Sequence, residues 1–163
     1  MRAVAESSVE STHMVLPSDT NAHGTAFGGI IMQWMDIAAS ISASRHAEGA
    51  VVTAAVDDLE FTRPIRMGDV VIIRARVNYT GRTSMEVGVR VEREDAQTRL
   101  REHCLTGYFT FVAVDGDGKP RQVSPVQPVN VVEVLPVHVT LCTPAPVVTL
   151  RVPEVAKAGV EAT

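Results

Sequence analysis

The segment NAHGTAFGGIIMQWMDIA, residues 21–38, decides the fold of this chain. It places a glycine pair, Gly28 and Gly29, at the start of an apolar run and one aspartate, Asp36, inside it. No proline interrupts residues 27–46, and apolar side chains recur there at helical spacing. The pattern predicts one long helix whose periodic positions are Phe27, Ile30, Ile31, Trp34, Met35, Ala38, Ile41 and Ser42.

After this helix the hydrophobic period changes to two, which is typical of strands. The alternating stretches are VVTAAVDDLEF (51–61), VVIIRARVNY (70–79), SMEVGVRVERE (84–94) and EHCLTGYFTFVAV (102–114). An earlier short stretch, THMVLP (12–17), predicts a first strand. The order of one strand, a helix and four strands joined by turns predicts an α+β fold, an antiparallel meander packed on one helix.

Composition limits the function classes. The chain has 163 residues, 45% of them hydrophobic, and a net charge of −4, which suits one globular domain and argues against nucleic-acid binding. No apolar leader or membrane span is visible, so we expect a cytoplasmic protein. The two cysteines, Cys104 and Cys142, lack metal-ligand spacing, so neither a disulfide framework nor a metal site is expected, and Cys104 reads as a buried thiol.

The two ends of the chain differ from its middle. Polar residues 1–11 predict a flexible N-terminus, whereas residues 129–163 form a Val/Pro-rich extension. Prolines make a regular helix there unfavourable, so scattered strands, a docked extension and disorder stay open. The Asp/Gly-rich turn from Asp115 resembles a calcium loop, but its twelfth position is Val126 instead of the required glutamate.

The glycine pair and the aspartate each allow two interpretations. Glycine in a helix interior costs about 1 kcal/mol relative to alanine, so Gly28 and Gly29 either let another backbone pack closely or expose helix N–H groups to a ligand oxygen. Asp36 shares a stripe with Gly29, Gln33 and Ser40, which carries none of the Lys or Glu typical of a solvent face. The stripe therefore favours contact with protein or ligand, where a carboxylate can act as base or nucleophile.

Three stretches resemble the hotdog-fold acyl-CoA thioesterases: PSDTNAHGTAFGGIIMQWMDIAA, VDDLEFTRPIRMGDVV and GRTSMEVGVRV, which together span roughly residues 12–114. The resemblance implies a long helix wrapped by a curved antiparallel sheet of about five strands, within a domain at 12–128. It implies hydrolysis of fatty acyl-CoA to free acid and coenzyme A, a step of lipid metabolism needing no further cofactor, carried by Asn21 and Asp36. It also implies homodimers joined edge to edge, three of which often form a hexamer.

Physical roles can be assigned beside this resemblance. The N–H groups near Gly28 and Gly29 would polarise the thioester carbonyl, and the Asn21 amide would orient the reacting groups, although Asn21 alone would read as a residue capping its own turn. His23 is an alternative base, but its loop position favours local hydrogen bonding. Arginines in turns would meet the phosphates of coenzyme A, and hydroxyls its pantetheine: Arg63, Arg66, Arg82, Thr83 and Ser84.

The helix geometry separates the two parts of this site. Asp36 lies eight residues after Gly28, about 12 Å along the axis, so one thioester cannot touch both in one chain. We therefore expect the acid to come from a second subunit. The alternatives are a non-catalytic acyl-CoA-binding sensor, a scaffold using the Pro/Val extension, and a His-dependent dehydratase, for which no histidine has the matching surroundings.

Overall fold

The long helix and the last three strands form where the two periodicities predict them, whereas the first strand, predicted at 12–17, forms earlier and the second ends earlier than predicted. The computed structural model describes residues 3–57 and 59–127. Helix α1 spans Gly28–Ala47. The strands are β1 (Val9–Met14), β2 (Val51–Val56), β3 (Val70–Thr80), β4 (Ser84–Glu94) and β5 (Arg101–Ala113).

The five strands form one antiparallel sheet in the order β1-β3-β4-β5-β2. Because α1 contacts all five strands, the sheet curves around it. Strands β3, β4 and β5 are the predicted meander, but the prediction is wrong for β2, which pairs with β5 at the far edge instead of with β3. The connection after β2 therefore crosses the end of the sheet before β3 begins. Residues of this connection border the candidate active site.

Alternation of buried and exposed side chains places the core between sheet and helix. The inward positions of β4 are all buried: Met85, Val87, Val89 and Val91. The same holds for β3 up to Val77, but Tyr79 is 64% exposed, against the expected alternation. The pairing of β3 with β4 shifts register between Val77 and Tyr79, and such a bulge turns the following side chain to the other face.

Helix α1 buries one face of the predicted set. Ile31, Met35, Ala38 and Ser42 are buried, and Ile30 and Trp34 pack beside them. Phe27 and Ile41 are exposed, contrary to the prediction. Phe27 precedes the first helical residue, and the buried stripe of a 3.6-residue helix drifts away from Ile41 towards Ala39 and Ala43.

The N-terminus is more structured than the sequence predicts. Residues Val4–Ser7 form a 3-10 helix, and β1 begins at Val9, inside the segment 1–11 that was expected to be flexible. Ser7 is fully buried, and its Oγ accepts a hydrogen bond from the Val77 backbone N–H at 3.1 Å. At the other side of the domain, β2 ends at Val56 and not at residue 61. The predicted extension 129–163, with Cys142, lies outside the described residues.

The structure bears on two expectations drawn from composition, one about Cys104 and one about membrane-spanning helices. Cys104 is buried and free, as predicted, and burial raises the pKa of its thiol. Within residues 3–57 and 59–127, no helix has the length and apolar character that crossing a bilayer requires.

The ring of His13 on β1 stacks on Trp34 of α1, with ring centroids 4.4 Å apart. Burial lowers the pKa of His13, although the charge of Asp19 opposes this. His13 therefore binds a proton less readily in the folded protein than in the unfolded chain. Acidification below pH 6.5, the ordinary pKa of histidine, consequently favours unfolding. We expect His13→Phe, which keeps a stacked ring, to lose less thermal stability than the wild type between pH 7 and pH 5. Parallel melting curves with the exposed-loop variant His23→Gln serve as control; equal pH slopes in His13→Phe and wild type would contradict the assignment.

Candidate active site

The loop before α1 is built around the side chain of Asn21. Its Oδ1 accepts the backbone N–H of His23 at 2.9 Å, and its Nδ2 donates to Thr25 Oγ1 at 2.9 Å. Asn21 thus caps its own turn, which is the local role that the sequence alone favours. The same bonds hold its amide in one orientation beside the start of α1. The side chain of His23 is exposed, and only its backbone takes part in this turn.

A cavity of about 360 Å³ lies at the N-terminal end of α1. Its wall includes Gly28 but not Gly29, together with Thr25, Ala26, Ile31, Phe61, Thr62, Arg63, Pro64 and Ile65. A methyl group on Gly28 would contact the Phe61 ring at 3.7 Å and so take up part of this space. The first N–H groups of a helix have no partner within it, and here Phe27 offers no side-chain cap. A ligand oxygen that enters the cavity can therefore accept hydrogen bonds from the first N–H groups of α1.

Two segments that are distant in sequence form the cavity walls. The Ala26 N–H donates to the Ile65 carbonyl at 2.8 Å, and Thr25 forms a bridge with Arg66. Thr62 is tied to β5, since its N–H and its hydroxyl both donate to the Cys104 carbonyl. The crossing connection between β2 and β3 is thereby fixed against the Asn21 loop.

An ion-pair cluster adjoins this cavity through Arg63, which lies in the cavity wall. Arg93 lies 3.1 Å from buried Asp69 and 2.8 Å from Glu102, and Glu102 also lies 3.6 Å from Arg63. The hydrogen bond from Arg93 holds the pKa of Glu102 below its ordinary value. Because Arg63 is more than half exposed and only loosely paired, its guanidinium can meet an anion at the mouth of the cavity.

Asp36 has a partner that the sequence did not point to. Its Oδ1 accepts a hydrogen bond from the Thr53 hydroxyl on β2 at 3.0 Å, which joins the middle of α1 to the edge strand. Asp36 and Ser40 are half-buried, but Gln33 and Gly29 on the same stripe are exposed. A single chain thus covers only half of the stripe that was expected to face protein or ligand.

The candidate residues fall into two groups within one chain. The first, called here the glycine half, contains Thr25, Gly28 and Arg63, which line the cavity, and Asn21, which does not line it but whose amide donates to Thr25. The second, the acid half, contains Asp36 and Thr53. Among the described residues no hydrogen bond joins the two halves, in agreement with the separation of about 12 Å along the helix.

The predicted coenzyme A contacts divide in the same way. Arg63 and Arg66 precede β3, whereas Arg82, Thr83 and Ser84 follow it. Since β3 has 11 residues, about 33 Å of strand separates the two sets along the chain. The second set adjoins the acid half: Thr53 and Met85 both pair with Phe111, which puts the turn at Ser84 two strands, or roughly 10 Å, from Thr53.

Thr53 is the residue that sequence analysis missed. It lies in the strand VVTAAV, and a lone threonine in a strand carries no local sign of function. Only the pairing of β2 at the sheet edge brings it to Asp36.

Comparison with known proteins gives a consistent result. The model of the thioesterase superfamily matches residues 23–99. An uncharacterized acyl-CoA thioester hydrolase of Bacillus subtilis is 43% identical over 134 residues, which are 82% of this chain and 78% of the relative. The solved acyl-CoA hydrolase of Staphylococcus aureus, in complex with butyryl coenzyme A, is 40% identical with a TM-score of 0.75 over 79% of each chain. These similarities confirm the predicted hotdog fold.

Two further findings concern assembly and individual residues. A hexameric thioesterase from Yersinia pestis is 39% identical with a TM-score of 0.67 over 70% of this chain and 93% of that one. The Staphylococcus aureus hydrolase has also been solved as alanine variants of one asparagine, one aspartate and one threonine. Those three positions are separated by 15 and 17 residues, the spacing of Asn21, Asp36 and Thr53 here.

Proposed function

Because this chain belongs to the thioesterase superfamily, we propose that it hydrolyses fatty acyl-CoA to free acid and coenzyme A at a site shared by two subunits. One observation carries the proposal. A cavity has Gly28 and Thr25 in its wall, and the Asn21 amide donates to Thr25, while Asp36 is held by Thr53 at a sheet edge with no neighbouring strand within the described residues. The glycine half lacks the Asp36 carboxylate, and the acid half lacks the N–H groups at Gly28.

The free edge of the sheet supports the pairing of two chains. Strand β2 is the last strand of the sheet, and its side chains Val52 and Val56 are 48% and 41% exposed. An exposed apolar edge strand is a template for pairing with another chain. Antiparallel pairing of β2 with a second copy would cover these residues and set the two α1 helices side by side in opposite directions.

The position of Met32 supports one register of the two helices in the proposed dimer. Met32 lies midway between Gly28 and Asp36, and its side chain is 43% exposed. A two-fold axis at its level brings Gly28 of one chain to the height of Asp36 of the other. Neighbouring helices pack 8–10 Å apart, which leaves room for a thioester between them.

The chemistry then follows from the groups that meet at this point. The N–H groups at Gly28 and Gly29 donate to the thioester oxygen and stabilise the negative charge that develops on it. Asp36 of the other chain either takes a proton from the attacking water or attacks the carbonyl carbon itself. The bond from carbon to sulfur breaks, and coenzyme A leaves as a thiolate that takes up the proton released by the attacking water. On the route in which Asp36 itself attacks, this water hydrolyses the resulting acyl-Asp36 anhydride to the free acid. The Asn21 amide orients the reacting groups, and Thr53 holds the Asp36 carboxylate.

The same arrangement assigns coenzyme A contacts to both chains. Arg63 in the wall of the cavity, and Arg66, whose backbone bridges to Thr25, offer cations to its phosphates. The other set, Arg82, Thr83 and Ser84, lies near the acid half and reaches the pantetheine from the chain that supplies Asp36. We further propose that three such dimers assemble into a hexamer, as the hexameric relative suggests, and that the enzyme works in the cytoplasm without a metal.

A substrate panel tests this function. Purified protein is expected to release coenzyme A, measured as free thiol, from at least one acyl-CoA between acetyl and palmitoyl, with no added metal. The rate is expected to survive a chelator, because Asp36 and the helix N–H groups supply the catalysis. Complete inactivity across the panel, with bound acyl-CoA detected by calorimetry, would favour the non-catalytic sensor instead.

A further inference from the structure

Beyond β5 the chain folds back over the end of the domain in a segment that the proposed mechanism does not use. We call residues 119–126 the C-terminal strap. The Asp115 N–H donates to the Lys119 carbonyl at 2.8 Å, which closes the turn, and the Arg121 N–H donates to the Ala113 carbonyl at 2.9 Å. The strap therefore returns beside the end of β5.

Two side chains bind the strap to the C-terminal end of α1. The Arg121 guanidinium donates to the carbonyls of Ala47 and Val114, at 2.6 Å and 3.2 Å. From the helix side, His46 Nε2 lies 2.8 Å from the Ser124 carbonyl oxygen. Since a carbonyl only accepts, Nε2 carries the hydrogen of this bond.

The strap also holds the turn between β3 and β4. The Val123 N–H donates to the Arg82 carbonyl at 3.1 Å, and the Val126 N–H donates to Thr80 Oγ1 at 3.0 Å. The strap is thus bound to the end of α1 through Arg121 and Ser124, and through Val123 to the backbone of the turn that carries Arg82, Thr83 and Ser84.

The surroundings of His46 indicate that the main role of its imidazole is the hydrogen bond to the Ser124 carbonyl. The side chain is 3% exposed, and its Nδ1 has no hydrogen-bond partner among the described residues. One helical turn earlier, the buried Ser42 Oγ also has none. A buried polar atom without a partner costs free energy that an apolar side chain would avoid. The bond to Ser124 is the contact that offsets this cost.

We propose that His46 is a positioning residue for coenzyme A, acting through the strap on the turn Arg82–Ser84. The inference rests on the proposed function, because that turn is the one assigned to the pantetheine. His46 does not touch the substrate. It holds Ser124, and the strap in turn keeps the turn residues in place before coenzyme A binds, so that less ordering is needed on binding.

The test separates binding from chemistry. His46→Leu is expected to raise KM for acyl-CoA about three- to tenfold, the range for one lost hydrogen bond, with kcat within about twofold of wild type. The dissociation constant of free coenzyme A, measured by calorimetry, should rise in parallel. His46→Gln, whose amide N–H occupies the place of Nε2, should restore KM. Amide exchange at Val123 and Val126 should accelerate in the leucine variant and return towards normal in the glutamine variant.

Controls keep the inference falsifiable. Thr80→Val has nearly the same shape and removes the bond from the Val126 N–H to the Thr80 hydroxyl, so it should shift KM in the same direction even if His46→Leu fails to fold. His103→Leu removes a histidine whose Nε2 bonds Thr106 within β5, away from the strap, and should leave KM unchanged. Unchanged KM in folded His46→Leu and Thr80→Val, or kcat falling with KM rising, would overturn the inference. Inactive wild-type protein would instead refute the proposed function.

Discussion

Replacing Asp36 by Asn is expected to lower kcat by about 10²–10⁴, the usual contribution of a general base, with the fold intact. The amide has nearly the shape of the carboxylate, and its oxygen can still accept the hydrogen bond that Thr53 donates at 3.0 Å. What the variant loses is the negative charge that takes a proton or attacks the thioester. Steady-state kinetics on the best substrate of the panel, with circular dichroism to verify folding, measures the effect.

Two comparisons sharpen this result. Asp117→Asn changes an exposed carboxylate in the turn after β5 and should leave kcat unchanged. Thr53→Val removes only the hydroxyl that holds Asp36, so its loss should be smaller, about tenfold. A folded Asp36→Asn enzyme with near-normal turnover would show that the carboxylate has no part in the chemistry.

Mixing two inactive variants is expected to restore about a quarter of wild-type activity. Asn21→Ala should lower kcat by about 10²–10³, the usual effect of removing one oxyanion donor. Asp36→Asn is inactive because it lacks the carboxylate charge. If each site takes Asn21 from one chain and Asp36 from the other, a heterodimer has one doubly defective site and one wild-type site. Random exchange makes half of the dimers heterodimers, and half of the sites in these heterodimers are wild type. A quarter of all sites are therefore active.

This experiment depends on two controls. Native mass spectrometry has to show that subunits exchange, with one variant carrying a mass label. Because the Asn21 side chain also ties the loop to His23 and Thr25, the thermal unfolding of Asn21→Ala has to resemble that of the wild type. If exchange is complete and no activity returns, each site is built from one chain and the shared-site proposal is wrong.

The sequence by itself determined the elements and much of the core. Alternation along β3 and β4 predicted which side chains point inward, and helical spacing predicted α1 within one residue at each end. These predictions succeed because the periods of 3.6 and 2 are properties of the local backbone. The buried thiol of Cys104 followed from the same pattern.

Only the tertiary structure decided how distant segments meet. It put β2 beside β5 and not β3, and this brought Thr53 to Asp36, 17 residues away in sequence. It also turned Tyr79 outward through a bulge and joined His46 to Ser124 across 78 residues. Periodicity shows which face of an element is apolar but not which element packs against it. Strand order and long-range hydrogen bonds are selected by the packing of the whole chain, so no local pattern contains them.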